Sequence, residues 1–68
     1  MMAEQKNYRF RIYYLTDSHP IIREIAMKFR TQVSVNYESW IVTDAVGAEL
    51  LRETERRGFI KIREFKEL

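Results

Sequence analysis

His19 is the only histidine in this chain, and an imidazole is the side chain best suited to acid–base work or to holding an anion. It stands in Thr16-Asp17-Ser18-His19-Pro20, at the entrance to an apolar, helix-periodic run. There it either hydrogen-bonds an anionic ligand or stays solvated in a first turn. No partner for acid–base work lies near it in sequence. The carboxylates of Asp17, Glu38 and Asp44 fall at turns, and nothing pairs them into a dyad. No serine or threonine has a recognisable base partner, and no glycine-rich phosphate loop occurs. With no cysteine and one histidine, the chain has too few soft ligands for a structural zinc site. The sequence therefore nominates no catalytic residue, no metal ligand and no cofactor.

Two groups of residues could still bind something. Thr16, Asp17, Ser18 and His19 precede a helix, whose free N–H groups and positive dipole end suit a carboxylate or phosphate. Self-capping by Asp17 or Ser18 is the competing use of that loop. The second group is basic and aromatic. Arg9, Arg11 and Tyr13 share one face of an opening strand, and Lys61, Arg63 and Phe65 share one face of a closing strand. Were the two strands neighbours, arginines would hold phosphates and rings would stack on bases, as open-sheet modules do with single strands. A face covered by a second subunit, or simply solvated, is the alternative. Trp40 reads as core beside a turn, or else as an interface anchor.

The elements that position these residues follow from periodicity. Tyr8–Leu15 is aromatic and branched, with Tyr8, Phe10, Ile12 and Tyr14 on one side. Ile22, Ile25, Ala26 and Phe29 form one helical stripe after Pro20, with Glu24 and Lys28 as an i, i+4 pair outside. Val33, Val35 and Tyr37 alternate with Ser34 and Asn36, which predicts a strand over 32–37. A turn at 37–39 then leads to a strand over 40–43; one long bent strand from Val33 to Thr43 is the other option. Thr43 or Asp44 caps a second helix whose stripe is Gly47, Leu50, Leu51 and Thr54, helped by Val46. Gly58 stops that helix, and Phe59–Phe65 closes the fold. The expected class is α+β: a ferredoxin-like β-α-β-β-α-β two-layer sandwich with an antiparallel sheet.

Sixty-eight residues make one thin-cored domain, expected over 8–68 after a disordered leader at 1–7. Self-association would supplement so small a core. Twelve basic and ten acidic side chains leave a net charge of +2, far from the excess of a nucleic-acid coat protein, although a local basic patch is compatible with it. No apolar run is long enough for a membrane span, and the polar start lacks a signal-peptide core. A cytoplasmic protein with no membrane partner is the expectation.

The run H19-P-I-I-R-E-I-A-M-K-F-R-T-Q-V-S-V35 resembles the first helix and second strand of the NIL domain, an ACT-like regulatory module of methionine-importer ATPases. W40-I-V-T-D44 resembles its third strand and helix entrance. L50-L51 and R56-R-G-F-I-K-I62 resemble its second helix, glycine stop and last strand. The resemblance implies a regulatory homodimer that holds a small effector near Thr16–His19 and the dimer interface. The family's longer segment between its second and third strands is reduced here to a few residues. A fainter likeness, through F10-R-I12, V35-N-Y-E-S-W40 and R57-G-F-I-K-I62, is to small phycobilisome linker domains. I12-Y-Y-L15 loosely resembles the first strand of an RNA-recognition motif, whose glycine–aromatic motif is missing from W40-I-V-T43.

The leading expectation is thus a non-enzymatic regulatory or interaction domain, homodimeric, taking a small anionic effector. Single-stranded nucleic-acid binding through Arg9, Arg11, Tyr13, Lys61, Arg63 and Phe65 is the alternative. A protein-binding adaptor or linker module is the third.

Overall fold

The alternation of Y-R-F-R-I-Y-Y sets the centre of the molecule. In the computed structural model, which describes residues 6–68, this segment is strand β1, Tyr8–Tyr14. Helix α1 (His19–Lys28), strand β2 (Glu38–Thr43), helix α2 (Ala45–Arg56) and strand β3 (Ile60–Glu67) follow. Residues 1–5, most of the expected leader, lie outside the described residues. β1 is the middle strand of a β2-β1-β3 sheet and runs antiparallel to both neighbours. β2 and β3 are therefore parallel to each other, and α2 crosses between the two edges.

Phe10, Ile12 and Tyr14 face the helices and meet Ile22 of α1, Ala48 and Leu51 of α2, Ile41 of β2 and Ile60 of β3. Ile25 and Phe29 pack partly buried against that cluster, as the helical stripe predicts. The second stripe is turned from its predicted position. Gly47, Ala48 and Leu51 are buried, while Val46 and Leu50 are exposed. Gly47 leaves room for Thr43, the last residue of β2, four residues before it at the entrance to α2. A Cβ there would fall 1.8 Å from Thr43 Oγ1 and 2.9 Å from Thr43 Cβ. Gly47→Ala is therefore expected to destabilise the domain by about 1–3 kcal/mol, the usual cost of overpacking. The helix-propensity gain of about 1 kcal/mol opposes this and does not outweigh it. Adding Thr43→Ala should return part of the loss, because it removes Oγ1 and leaves Cβ. Urea midpoints of the single and double variants measure both effects.

Both helices end in Schellman geometry. Gly58 (φ 87°) ends α2, with its N–H donated to Glu55 O and that of Phe59 to Thr54 O. Arg30 (φ 54°) does the same for α1, with its N–H on Met27 O and that of Thr31 on Ala26 O. The N-terminal ends differ. Asp44 caps α2 by accepting from Gly47 N–H at 3.0 Å, whereas the Ser18 side chain caps nothing in α1. On the helix surfaces, Glu53 pairs with Arg56 and Arg57, and the expected Glu24–Lys28 pair does not form.

The predicted strand over 32–37 is absent, so neither the hairpin nor the single long strand exists. Ser34–Tyr37 is a tight turn. Tyr37 N–H reaches Ser34 O, Glu38 N–H reaches Ser34 Oγ, and Ser34 Oγ donates to Asn36 Oδ1. Short polar side chains bonding locally offer the backbone an alternative to a ladder. The alternation of Val33 and Val35 finds no core to enter, and Val35 is fully exposed. Tyr37 adopts φ 63°, and its carbonyl accepts from Tyr14 N–H at 2.9 Å. Three strands form the sheet among the described residues, in an α+β arrangement.

A buried polar chain links β1 to this turn. Tyr14 OH lies 2.8 Å from Ser39 Oγ, which donates to Gln32 O at 2.7 Å, so the phenol is the donor to Ser39. Burial pushes the Tyr14 phenol above its ordinary value. An unfolded chain ionises this phenol near pH 10, while the folded chain keeps it protonated. The unfolded state then binds fewer protons, so stability falls as pH rises past about 10. Tyr14→Phe is expected to melt less steeply with pH between about 9.5 and 11 than the parent chain. At pH 7 it should lose about 1 kcal/mol from the missing hydrogen bond.

Candidate functional site

The sheet face opposite the helices carries the chemistry. Along β1 it presents Arg9, Arg11 and Tyr13. β2 adds Glu38, Trp40 and Val42 directly opposite them, in reverse order. β3 adds Lys61, Arg63, Glu64 and Lys66. Arg63 arrives there through a bulge. Ile62 opposes Ile12 and Glu64 opposes Arg11, which leaves Arg63 between them without a partner on β1. A bulge adds one residue and re-aims the side chains beyond it.

That extra residue corrects one site assignment. Phe65 was expected beside Lys61 and Arg63. Past the bulge the alternation changes phase, and Phe65 turns to the helix side. Its ring lies 5.1 Å from Phe10 and 5.5 Å from Tyr8, with the Arg52 guanidinium over it at 5.2 Å. Arg9, Arg11, Tyr13, Lys61 and Arg63 do share the open face. Trp40 is the second correction. It is no core residue, since it is 51% exposed on that face, and it takes the place of the second ring. Ser39 and Ile41 are the inward residues of β2. Reading alternation outward from Ile41 would have placed Trp40 correctly. Lys66 and Glu64 were also missed, and only the bulge reveals their side.

The face is strongly polarised. Five cationic and two acidic side chains give it a surplus greater than the net +2 of the whole chain. The Arg9 and Arg11 guanidiniums lie 5.4 and 5.6 Å from the Trp40 ring centre. That of Arg63 lies 4.7 Å from the Tyr13 ring. Arg11 reaches Glu64 at 2.9 Å and Glu38 at 3.8 Å, and Arg63 reaches Glu38 at 3.6 Å. Arg9, Lys61 and Lys66 have no ion pair among the described residues.

The loop before α1 is simpler. Thr16 Oγ1 accepts from Ser18 N–H at 3.1 Å, and Ser18 O accepts from Ile22 N–H. Asp17 and His19 are exposed. Pro20, Arg23, Glu24 and Met27 surround His19 in a shallow surface depression. All the residues lining that depression belong to α1. Among the described residues no three acidic, histidine or cysteine side chains could hold a metal ion. No helix there is long and apolar enough to cross a membrane. Comparison with protein families, with curated proteins and with solved structures finds no match.

Proposed function

We propose that this chain is a non-enzymatic binding domain that takes single-stranded nucleic acid across its open sheet face. The observation that carries this reading is the coincidence of charge and rings. The positive surplus of the chain is gathered on one uncovered face, beside two aromatic side chains. Rings accept bases of any sequence, and guanidinium groups follow the phosphates. The effector reading at Thr16–His19 has less support, because its only resource is an uncapped helix end beside an aspartate that repels anions. We also infer that the sheet is a ferredoxin-like sandwich reduced by one edge strand, since α2 joins parallel strands around a central antiparallel one.

The test is binding of a labelled oligothymidylate of about a dozen residues at several salt concentrations. Each phosphate neutralised on a single strand contributes about 0.7 to the slope of log affinity against log salt. Five cations therefore limit the slope to about 3.5, and a value between about 1.5 and that limit is expected. Undetectable or salt-independent binding would remove the reading. So would a stable homodimer that protects the amides around Arg9, Arg11 and Tyr13. That result would instead support an interaction domain of the regulatory type.

A further inference from the structure

Glu38 is the most enclosed acid on the open face. Its side chain is 18% exposed, and its carboxylate lies between the Arg11 and Arg63 guanidiniums, at 3.8 and 3.6 Å. Neither distance is a hydrogen bond. The carboxylate is held at ion-pair range by two cations without being gripped by either. Its backbone is fixed, because Glu38 N–H is bound to Ser34 Oγ and Glu38 O accepts from Ser34 N–H. The cations are placed as deliberately. Arg63 owes its position to the bulge, and its guanidinium lies over Tyr13, directly across the ladder from Glu38. Arg11 is steadied from the other side by Glu64, at 2.9 Å. Its buried Nε has no protein partner.

Two guanidiniums converging on one oxyanion beside an aromatic ring is the arrangement a phosphodiester with its base requires. We propose that Glu38 is a built-in stand-in for a backbone phosphate, and that Arg11, Arg63 and Tyr13 form the subsite from which a nucleic-acid phosphate displaces it. The proposal rests on the nucleic-acid reading above. Partly exposed pairs at this range hold modestly, so the displacement sets a small barrier that a strand bound at several points overcomes. A phosphate repays it with short, charge-assisted hydrogen bonds that the carboxylate does not make. Glu38 thereby sets a threshold. An isolated anion does not clear it, whereas a strand that also engages Trp40 and Arg9 does.

Glu38→Gln keeps the shape and removes the competitor. Its affinity for oligothymidylate is expected to rise about 5- to 10-fold, and its salt slope by about 0.7–1.4 as one or two cations are released. A gain specific to the subsite disappears when Arg63→Ala is added. Glu64→Gln, which alters the face charge equally, should gain less and keep its gain in the Arg63→Ala background. Inorganic phosphate at millimolar concentration should compete against the Glu38→Gln variant and not against the parent chain. Thermal melts verify that each variant is folded. Should Glu38→Gln lose the fold, Glu38→Asp, which withdraws the carboxylate by one methylene, is expected to show a smaller gain in the same direction. An unchanged or weaker affinity in a folded Glu38 variant, with the parent chain still binding, would overturn this proposal and leave the nucleic-acid reading standing. An equal gain from Glu64→Gln, or a gain that survives Arg63→Ala, would also overturn it by revealing a general charge effect. Failure of the parent chain itself to bind would overturn the reading on which the proposal rests.

Discussion

Phe10→Ala is expected to leave the domain largely unfolded at room temperature. The ring is 1% exposed at the middle of the central strand. Across the ladder it faces Ile41 on one side and Phe65 on the other, with ring centres 5.1 Å apart in the second case. Truncating such a side chain costs about 3–5 kcal/mol, because the cavity cannot collapse around fixed strands. A chain of 68 residues holds only about 3–10 kcal/mol in total. The loss is thus comparable to the whole stability. Urea or thermal unfolding followed by circular dichroism measures it. Phe10→Leu, which refills most of the volume, should keep a cooperative transition. If Phe10→Ala stays within about 1 kcal/mol of the parent chain, the core is not organised around β1.

Trp40→Ala should do the reverse, sparing the fold and weakening the proposed oligonucleotide binding. Half the side chain is exposed on the open face and it carries two cation–π contacts, so its loss should cost about 1–2 kcal/mol. A core tryptophan would cost about 3–5 kcal/mol, so the same melt decides which side of the sheet Trp40 occupies. Stacking of one base is worth about 1–3 kcal/mol, which corresponds to about a 5- to 150-fold fall in oligonucleotide affinity. Freeing Arg9 and Arg11 from the ring works against this loss. Exposed cation–π contacts amount to only about 0.5–1 kcal/mol each, so the lost stacking dominates. Trp40→Phe should retain part of the affinity. Trp40 is the only tryptophan, so its own fluorescence reports the contact in the parent chain. Unquenched fluorescence at saturation would show that the strand binds elsewhere.

What could be read from the amino-acid sequence depended on how far each signal had to travel. The β1 alternation, the α1 stripe, the Asp44 cap and the Gly58 stop are local, and each occurs where its residue types require. The second face of the sheet is not local. Lys61 and Arg63 join Arg9, Arg11 and Tyr13 because β3 lies beside β1. Phe65 leaves that group because one unpaired residue shifts the phase of the strand. No composition rule marks Arg63 as that residue. The stretch 32–37 misleads for another reason. Its valines alternate as a strand requires, but the Ser34 hydroxyl, held by Asn36 Oδ1, and the Ser34 backbone bond the backbone of Tyr37 and Glu38 within four residues. Helix α2 buries Gly47, Ala48 and Leu51 and leaves Val46 and Leu50 exposed, a choice among neighbouring helix faces that depends on where the sheet lies. Thr16, Asp17 and Ser18 do lead into α1, which starts at His19, as the turn residues require.

The stretch 31–34 has a further consequence, for the outer border of the sheet. β2 is an outermost strand, and outermost strands recruit strands from other molecules. Thr31 Oγ1 donates to Trp40 O, and Ser34 supplies both a backbone donor and a hydroxyl acceptor to Glu38. Those few contacts occupy the border where a foreign strand would dock, beside the exposed Trp40 and Val42 side chains. The stretch 31–34 thus satisfies, from within the chain, backbone groups that an unpaired border strand would leave open.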